Sequence, residues 1–514
     1  MTRPLRLLKR VSGYLVVALM GFLVGVLLLY VWWVRSGPPV QAWHTVELAE
    51  DLTAEKADAV RTLADYRALE ERVLQELDSK VFAVTPTGPE YSLVRYSPGS
   101  ASDPRHRQPN WNRTFELGPK EAVGGVLLLH GMSDGPYSLR ALGEALAARG
   151  YRVLGLRMPG HGTAPSGLRT VTWEAMAAAT RLGMWHLSDA LGGKPVHVMG
   201  YSTGAALALD YALNALAGTD APIPASLVLV SPAIGITPLA ALTPWVERLS
   251  RLPGLEQLAW TANMPEFDPF NYNSFSVNAS VQVHRMTRSV ASRIRALAAT
   301  DPIAGFPPTL LLLTTVDATV SPDAVVDQLL KHLAPEGHEL MLYDINRFAI
   351  KSPLLVADPG PLTERLMGDK TLPFAVTLIA NETPQSRSVT ARFKPPFSPE
   401  ASRFEPLNLA WPDDTMSLSH VDLPFPPDDP LYGRYPPEAR GQVFLGQLAI
   451  RGERGLLKIP AQWLLRLRHN PFYDYQERRV LEWIERASGR GNPSPPGGAR
   501  LIKAEGNLAA NEHR

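Results

Sequence analysis

No cysteine occurs among the 514 residues, and that single absence removes disulfides, thiolate metal sites and a cysteine nucleophile together. An excess of one charge is lacking too. Lys and Arg number 51 against 50 Asp and Glu, a formal net charge of +1, and no basic run carries interleaved aromatics, so the composition holds nothing that attracts nucleic acid. No H-E-x-x-H pair and no phosphate-binding glycine loop is present, and the expectation is therefore no metal and no cofactor. The length suits one large elaborated domain or two moderate ones. Nothing in the sequence signals an oligomeric state.

One stretch lacks charge altogether. "YLVVALMGFLVGVLLLYVWWV", residues 14–34, has the roughly twenty apolar residues that a helix needs to cross about 30 Å of hydrocarbon. Arg3, Arg6, Lys9 and Arg10 precede it, whereas Arg35 is followed by Ser-Gly-Pro-Pro and then by Glu47, Glu50 and Asp51. That asymmetry predicts a single-pass membrane helix with residues 1–13 in the cytoplasm and the catalytic part on the extracytoplasmic side. A cleaved signal peptide would normally have a shorter apolar core, although Val40-Gln-Ala42 resembles a weak cleavage site.

Residues 35–122 read as a membrane-proximal linker with one amphipathic helix, in which Val60, Leu63, Val73, Leu77 and Val81 recur at helical intervals among charges. Such a helix either spaces the domain from the membrane, contacts a second copy, or covers a core; covering a core is the commoner outcome. From Val123 the apolar runs "GVLLLH", "YRVLGLR", "VHVMG", "SLVLVS" and "TLLLLTTV" alternate with helix-like stretches. This alternation predicts an α/β domain over 123–488, a mostly parallel sheet with helices on both faces. An aromatic-rich stretch at about 236–300 reads as an inserted cap. A second insertion at about 345–410 contains the hairpin-like "FAVTLIANETPQSRSVTARF", and 489–514 has the composition of an unstructured tail.

Two stretches match G-x-S-x-G: Gly131-Met-Ser133-Asp-Gly135 and Gly200-Tyr-Ser202-Thr-Gly204. A serine nucleophile on a strand-to-helix turn needs glycines where a Cβ would strike the neighbouring strand and helix. Ser202 has a strand before it and small residues, Ala205, Ala206 and Ala208, opening the helix after it. The N–H of Thr203, at that helix start, can donate to a developing oxyanion. Ser133 is followed by Asp134, whose carboxylate would repel that anion, and Pro136 delays the next helix. Its stretch offers instead the N–H of Met132, and Ser133 reads as a loop or cap serine.

His130-Gly131, the turn "RMPGHGTAPSG" and Gly200-Tyr-Ser202-Thr-Gly204, in that order, resemble the α/β-hydrolase superfamily, in particular its monoacylglycerol lipase, carboxylesterase and serine-aminopeptidase-like branch. The likeness covers roughly Val123 to Ala334 and the region around His420. It implies an α/β-hydrolase fold with a serine, acid, histidine order along the chain, and a structural turn role for His161. Asp317 stands just past "TLLLLTTV", at a strand's C-terminal end, whereas Asp323 follows Ser321-Pro322 as a helix N-terminal acid. His332 lies in a helical stretch, His338 opens a strand at the wrong end, and His469 has no strand leading into it. His420, in the Ser- and Pro-rich loop "SLSHVDLPF", remains as the base. The "SLSHVDLPF" context resembles the histidine loop of membrane-associated relatives.

The expected function is a membrane-anchored serine hydrolase that cleaves a carboxylic ester or lipid acyl ester through Ser202, His420 and Asp317, with Met132 and Thr203 as oxyanion donors. Trp245, Trp260, Phe267, Phe270, Tyr272 and Phe275 of the cap could hold an acyl chain or simply pack as the cap's own core. A serine peptidase or an acyltransferase would use the same residues, and a non-enzymatic membrane-anchored binding protein would use only the apolar cap.

Overall fold

The computed structural model describes residues 38–218, 220–235, 250, 255–317, 320–350, 358–413, 415–437, 441–446 and 467–490, together with scattered positions between 13 and 29. The expected tail from 491 onward, part of the apolar segment 14–34 and the cap stretch holding Trp245 lie outside the described residues.

The strands are β1 (Phe115–Leu117), β2 (Gly125–Leu129), β3 (Arg152–Leu156), β4 (Val196–Tyr201), β5 (Leu227–Val230), β6 (Trp260–Ala262), β7 (Phe275–Ser276), β8 (Thr309–Thr314), β9 (Glu339–Tyr343), β10 (Ala375–Asn381), β11 (Ser388–Lys394) and β12 (Arg403–Ala410). Ten of them form one sheet in the order β1-β3-β2-β4-β5-β8-β9-β10-β11-β12. From β3 to β10 every neighbouring pair is parallel; β1, β11 and β12 join antiparallel. β6 and β7 form a separate small ribbon.

The central strands are apolar at every position because both faces of the sheet are covered. Alternate side chains sort onto the two faces. Leu127, Leu129, Val198, Leu229, Leu311 and Leu313 belong to one core, and Val126, Leu128, Met199, Val228, Leu310 and Leu312 to the other. The helices are α1 (Leu63–Lys80), α2 (Arg140–Ala148), α3 (Trp173–Leu191), α4 (Thr203–Leu216), α5 (Val277–Leu297), α6 (Pro322–Gln328), α7 (Gly360–Gly368) and α8 (Tyr473–Ala487). Helices α1, α3, α4 and α5 contribute to the first core, and α2 and α8 to the second.

Three elements depart from what periodicity suggests. The linker helix begins only at Leu63, where Thr62 and Asp65 form a reciprocal capping box, so Val60 lies before it. Helix α5 packs on α4 and buries Met286, Val290 and Ile294, so the second half of the expected cap belongs to the helical layer that covers the sheet. The stretch expected as a second insertion extends the sheet instead. Its hairpin exists, as β10 and β11, but β10 is buried at all positions and pairs parallel with β9, which its unbroken apolar face requires.

The linker is held tightly to the domain. The Pro38 carbonyl accepts from Gln257 Nε2 and Asn263 Nδ2, and the Trp43 carbonyl accepts from Ser166 N–H. Asp51 forms a fork with the buried Arg157 guanidinium at 2.8 and 3.2 Å, and Glu70 of α1 meets the same cation at 3.2 Å. Helix α1 therefore packs on the domain, through Tyr66, Leu69, Val73 and Leu77.

Among the described residues no helix is long and apolar enough to cross a membrane. The described positions of the 14–34 segment are helical, and Tyr14, Leu15, Val17, Phe22 and Leu29 there are exposed.

Candidate active site

The strand order turns back between β2 and β4: the chain leaves β2 to one side for β3 and returns to the other for β4. In open parallel sheets a crevice opens at the C-terminal ends of strands where the order reverses. Leu129 of β2 lies in register with Gly200 of β4, and Tyr201 with Val230 of β5, so the loops that follow these strands meet over one edge.

Ser202 occupies the junction between β4 and α4 with φ 51° and ψ −113°, a conformation that costs an L-residue about 1–3 kcal/mol and is held only by surrounding bonds. Its N–H donates to the Val230 carbonyl at 2.9 Å, and its carbonyl accepts from Ala205, Ala206 and Ala233 N–H at 3.1, 3.2 and 3.1 Å. The flanking glycines are sterically required. A Cβ on Gly200 would come within 2.5 Å of the Ala205 backbone, and one on Gly204 within 2.0 Å of the Leu129 carbonyl oxygen.

The loop after β2 reaches Ser202 directly, since a Cβ on Gly131 would lie 3.3 Å from the Ser202 Cβ. Its shape is set by His130, whose Nδ1 faces the Gly131 carbonyl at 2.8 Å and whose Nε2 faces the Met158 N–H at 3.0 Å. Burial, with His161 beside it, lowers the His130 pKa well below the usual histidine range. The ring is thus neutral, with its proton on Nδ1 donated to Gly131. Among the described residues neither the Met132 N–H nor the Thr203 N–H is taken by a protein acceptor. Thr203 also heads α4, whose macrodipole favours negative charge at that end.

Ser133 has φ 65° and its Oγ donates to Asn271 Oδ1 at 3.2 Å; its carbonyl accepts from Tyr272 N–H at 2.7 Å. It serves to tie the loop to the cap. Asp134 next to it is buried, and burial pushes its pKa up to about 7 against the opposing Gly135 N–H and Ser138 hydroxyl.

Asp317 follows β8 with its side chain fully covered, and its Oδ1 accepts from Val320 N–H at 3.0 Å. His420, in the loop between β12 and α8, places Nδ1 at 3.3 Å from that same Oδ1. Asp317 and His420, more than a hundred residues apart in sequence, are brought together. Among the described residues no hydrogen bond joins Ser202 Oγ to His420.

The other candidates lie elsewhere. His161 is buried, its Nδ1 on the Pro159 carbonyl and its pKa lowered by burial to about 4. Asp323 lies in the first turn of α6 and pairs with Arg365. His332 closes a short 3-10 turn rather than an α-helix. His338 precedes β9 at the opposite end of the sheet, where burial lowers its pKa to about 4. His469 is buried in the segment before α8.

The described cap aromatics pack against residues outside the cap. Phe270 stacks on Tyr137 at 4.2 Å between ring centres within a cluster that includes Phe425 and Tyr432, and Trp260 and Tyr272 are buried. A cavity of about 660 Å³ lies between the linker at 45–55 and the turn at 160–172. Ser202, Asp317 and His420 do not line it.

Sequence reasoning did not single out the buried Asp268 and Asp422 or the largely covered Arg468 beside these loops. Their positions follow no motif spacing, and only the Asp two residues after His420 stands close to a recognised residue.

Comparison with known proteins adds the class. Residues 126–350 match the model of the Alpha/beta hydrolase family, and the ten-stranded sheet with its serine turn has that fold. A thermostable monoacylglycerol lipase of Bacillus sp. (strain H-257) is 36% identical over 85 residues, 16% of this chain and 33% of that protein. The magnesium-chelatase 30 kDa subunit of Rhodobacter capsulatus is 37% identical over 100 residues, 19% of this chain and 31% of that protein. The chain thus spans about a third of the length of these curated relatives. Among solved structures, a monoacylglycerol lipase of Paleococcus ferrophilus aligns over 45% of this chain and 88% of that one, at 20% identity and a TM-score of 0.33, too low for the superposition to bear on the site.

Proposed function

We propose that this protein is a serine hydrolase that cleaves a carboxylic ester, with lipid acyl esters as the substrate class. The observation that carries the reading is Ser202 on its strained turn at the sheet edge where Asp317 also holds His420. Ser202 Oγ attacks the acyl carbonyl while His420 Nε2 takes its proton, and Asp317 orients the ring and stabilises its cation. The Ser202–His420 hydrogen bond closes as substrate binds, since such bonds are often long beforehand. The oxyanion takes hydrogen bonds from Met132 and Thr203 N–H, each worth about 2.7–4 kcal/mol of transition-state stabilisation. The His420 proton passes to the leaving alcohol, and a water deprotonated by His420 then releases the acid from Ser202.

A lipid ester is favoured by the apolar 14–34 segment, whose described side chains are exposed, as a membrane helix requires. In this reading it anchors the protein as a single-pass helix with the N-terminus cytoplasmic. Because the linker is bound to the domain from Pro38 onward, the site stays close to the bilayer.

Acyl esters of graded chain length, assayed beside aminoacyl amides, test the substrate class. Turnover of esters with a preference for longer chains is expected, and faster amide cleavage would contradict it in favour of a peptidase. Deletion of residues 1–37 is expected to release the protein from the membrane fraction; retention there would remove the anchor.

A further inference from the structure

Three segments that carry the proposed chemistry contain buried carboxylates, and one of these carboxylates meets a cation directly. The loop bearing Met132 continues into Asp134, the turn bearing His420 continues into Asp422, and the cap segment that holds the first loop contains Asp268. Each of the three is 5% exposed or less.

The cation is Arg468. Its Nη2 lies 3.4 Å from Asp268 Oδ2, and its guanidinium sits over the Tyr432 ring at 4.7 Å, while the Tyr432 hydroxyl donates to the same carboxylate oxygen at 2.6 Å. The other oxygen of Asp268 accepts from Phe270 and Asn271 N–H. Asn271 then receives the Ser133 hydroxyl, one residue beyond Met132. A contact path therefore runs from Arg468 to the proposed oxyanion donor.

The turn that carries the base is closed on itself and braced by the segment after Arg468. Asp422 Oδ2 accepts from Ser419 N–H at 2.6 Å, and Asp422 N–H returns to the Ser419 carbonyl at 3.2 Å. This reciprocal pair closes a tight turn with His420 inside it. Burial alone would lower the pKa of the Arg468 guanidinium; Tyr432, Asp268 and Asp422 around it hold it above the usual arginine value. The backbone beyond Arg468 braces the same loop. Asn470 N–H donates to the Phe425 carbonyl at 2.8 Å and Gln476 Nε2 to the Leu423 carbonyl at 2.8 Å.

We propose that Arg468 is a positioning residue that holds the Met132 loop through Asp268, while the segment it opens braces the His420 turn through Asn470 and Gln476, so that the two are fixed relative to each other. The proposal rests on the serine hydrolase reading above. It extends that reading to a segment beyond residues 126–350, the part that matches the family. A guanidinium suits the role because its planar fork can meet several carboxylates at fixed angles while its face stacks on an aromatic ring.

The test compares wild type with Arg468→Met and Arg468→Lys, using the full chain in detergent and a short-chain nitrophenyl ester. Concentrations are set by titrating reactive serine with a fluorophosphonate, so that misfolded protein does not count. Misplaced catalytic groups lower turnover more than binding, and a shift of about 1 Å can cost on the order of 100-fold in rate. Arg468→Met is expected to lose about 10- to 100-fold in kcat per titrated site with little change in KM, and Arg468→Lys to recover part of it. Equal kcat per titrated site in Arg468→Met and wild type would overturn the proposal, as would a loss confined to KM. If Arg468→Met gives no folded protein, Asp268→Asn is read in the same way. A wild type that does not react with the fluorophosphonate would sink the hydrolase reading itself, a result separate from these.

Discussion

At Ser202 the backbone stores strain that only its neighbours sustain, and the smallest residues around it are the least replaceable. A Cβ on Gly204 would overlap the Leu129 carbonyl oxygen, and backbone cannot yield as a side-chain end can. Gly204→Ala is therefore expected to displace α4 or β2 at a cost of about 1–3 kcal/mol, read as a lower denaturation midpoint together with loss of esterase activity; unchanged values of both would refute the steric argument. Ser202 was legible because a strand, two glycines and a helix of small residues are local in sequence. The position of Met132 just after a strand was legible for the same reason. Asp134 was read as electrostatically unsuitable beside a nucleophile, and the structure shows a buried carboxyl whose proton is held up to about pH 7 by burial. Between the ordinary carboxylate value near 4 and about 7 the folded state binds more protons at Asp134 than the unfolded chain, so stability contributed there falls as pH rises. Asp134→Asn is expected to flatten that decline in unfolding titrations from pH 5 to 8. A variant with the wild-type slope would contradict the assignment.

Among the elements, the linker departs furthest from a simple tether. Helix α1 and the segment before it are joined to the domain by Asp51 and Glu70 on one buried guanidinium, Arg157. Burial acts to raise the Asp51 pKa, but the Arg157 charge, its hydrogen bonds and the Gly160 N–H outweigh it and hold the carboxyl below its ordinary value. A lowered folded pKa means that this contribution is present above the ordinary carboxylate range and is lost as pH falls through the folded value. Removing the cation strands two carboxylates, so Arg157→Met is expected to cost about 3–5 kcal/mol in denaturant unfolding; a loss under 1 kcal/mol would show that the linker docks without help from this ion triad. Amphipathic spacing in α1 made packing the expected outcome, but no periodicity could reveal the ion triad, whose members are spread from Asp51 to Arg157. The β10–β12 extension shows a related limit: the hairpin was visible in alternation and turn residues, whereas its attachment to β9 depends on a pairing between distant segments.

For the molecule as a whole, the alternation of fully apolar runs with amphipathic helices was enough to foresee a mostly parallel sheet covered on both faces. The reason is physical: a strand buried on both sides has no polar face to disguise it. Long-range convergence was legible only through strand polarity, which put Asp317 at the correct edge and His338 at the wrong one. The network around Arg468 lay beyond reach because loop-borne charges carry no period. The measurement that bears most directly on the central claim is peptide mapping by mass spectrometry after a fluorophosphonate reacts with wild type, Ser202→Ala and His420→Ala. A single adduct on the peptide containing Ser202 is expected in wild type, none in Ser202→Ala, and strongly slowed formation in His420→Ala. An adduct on Ser133 or any other serine, or labelling of His420→Ala at the wild-type rate, would contradict the account.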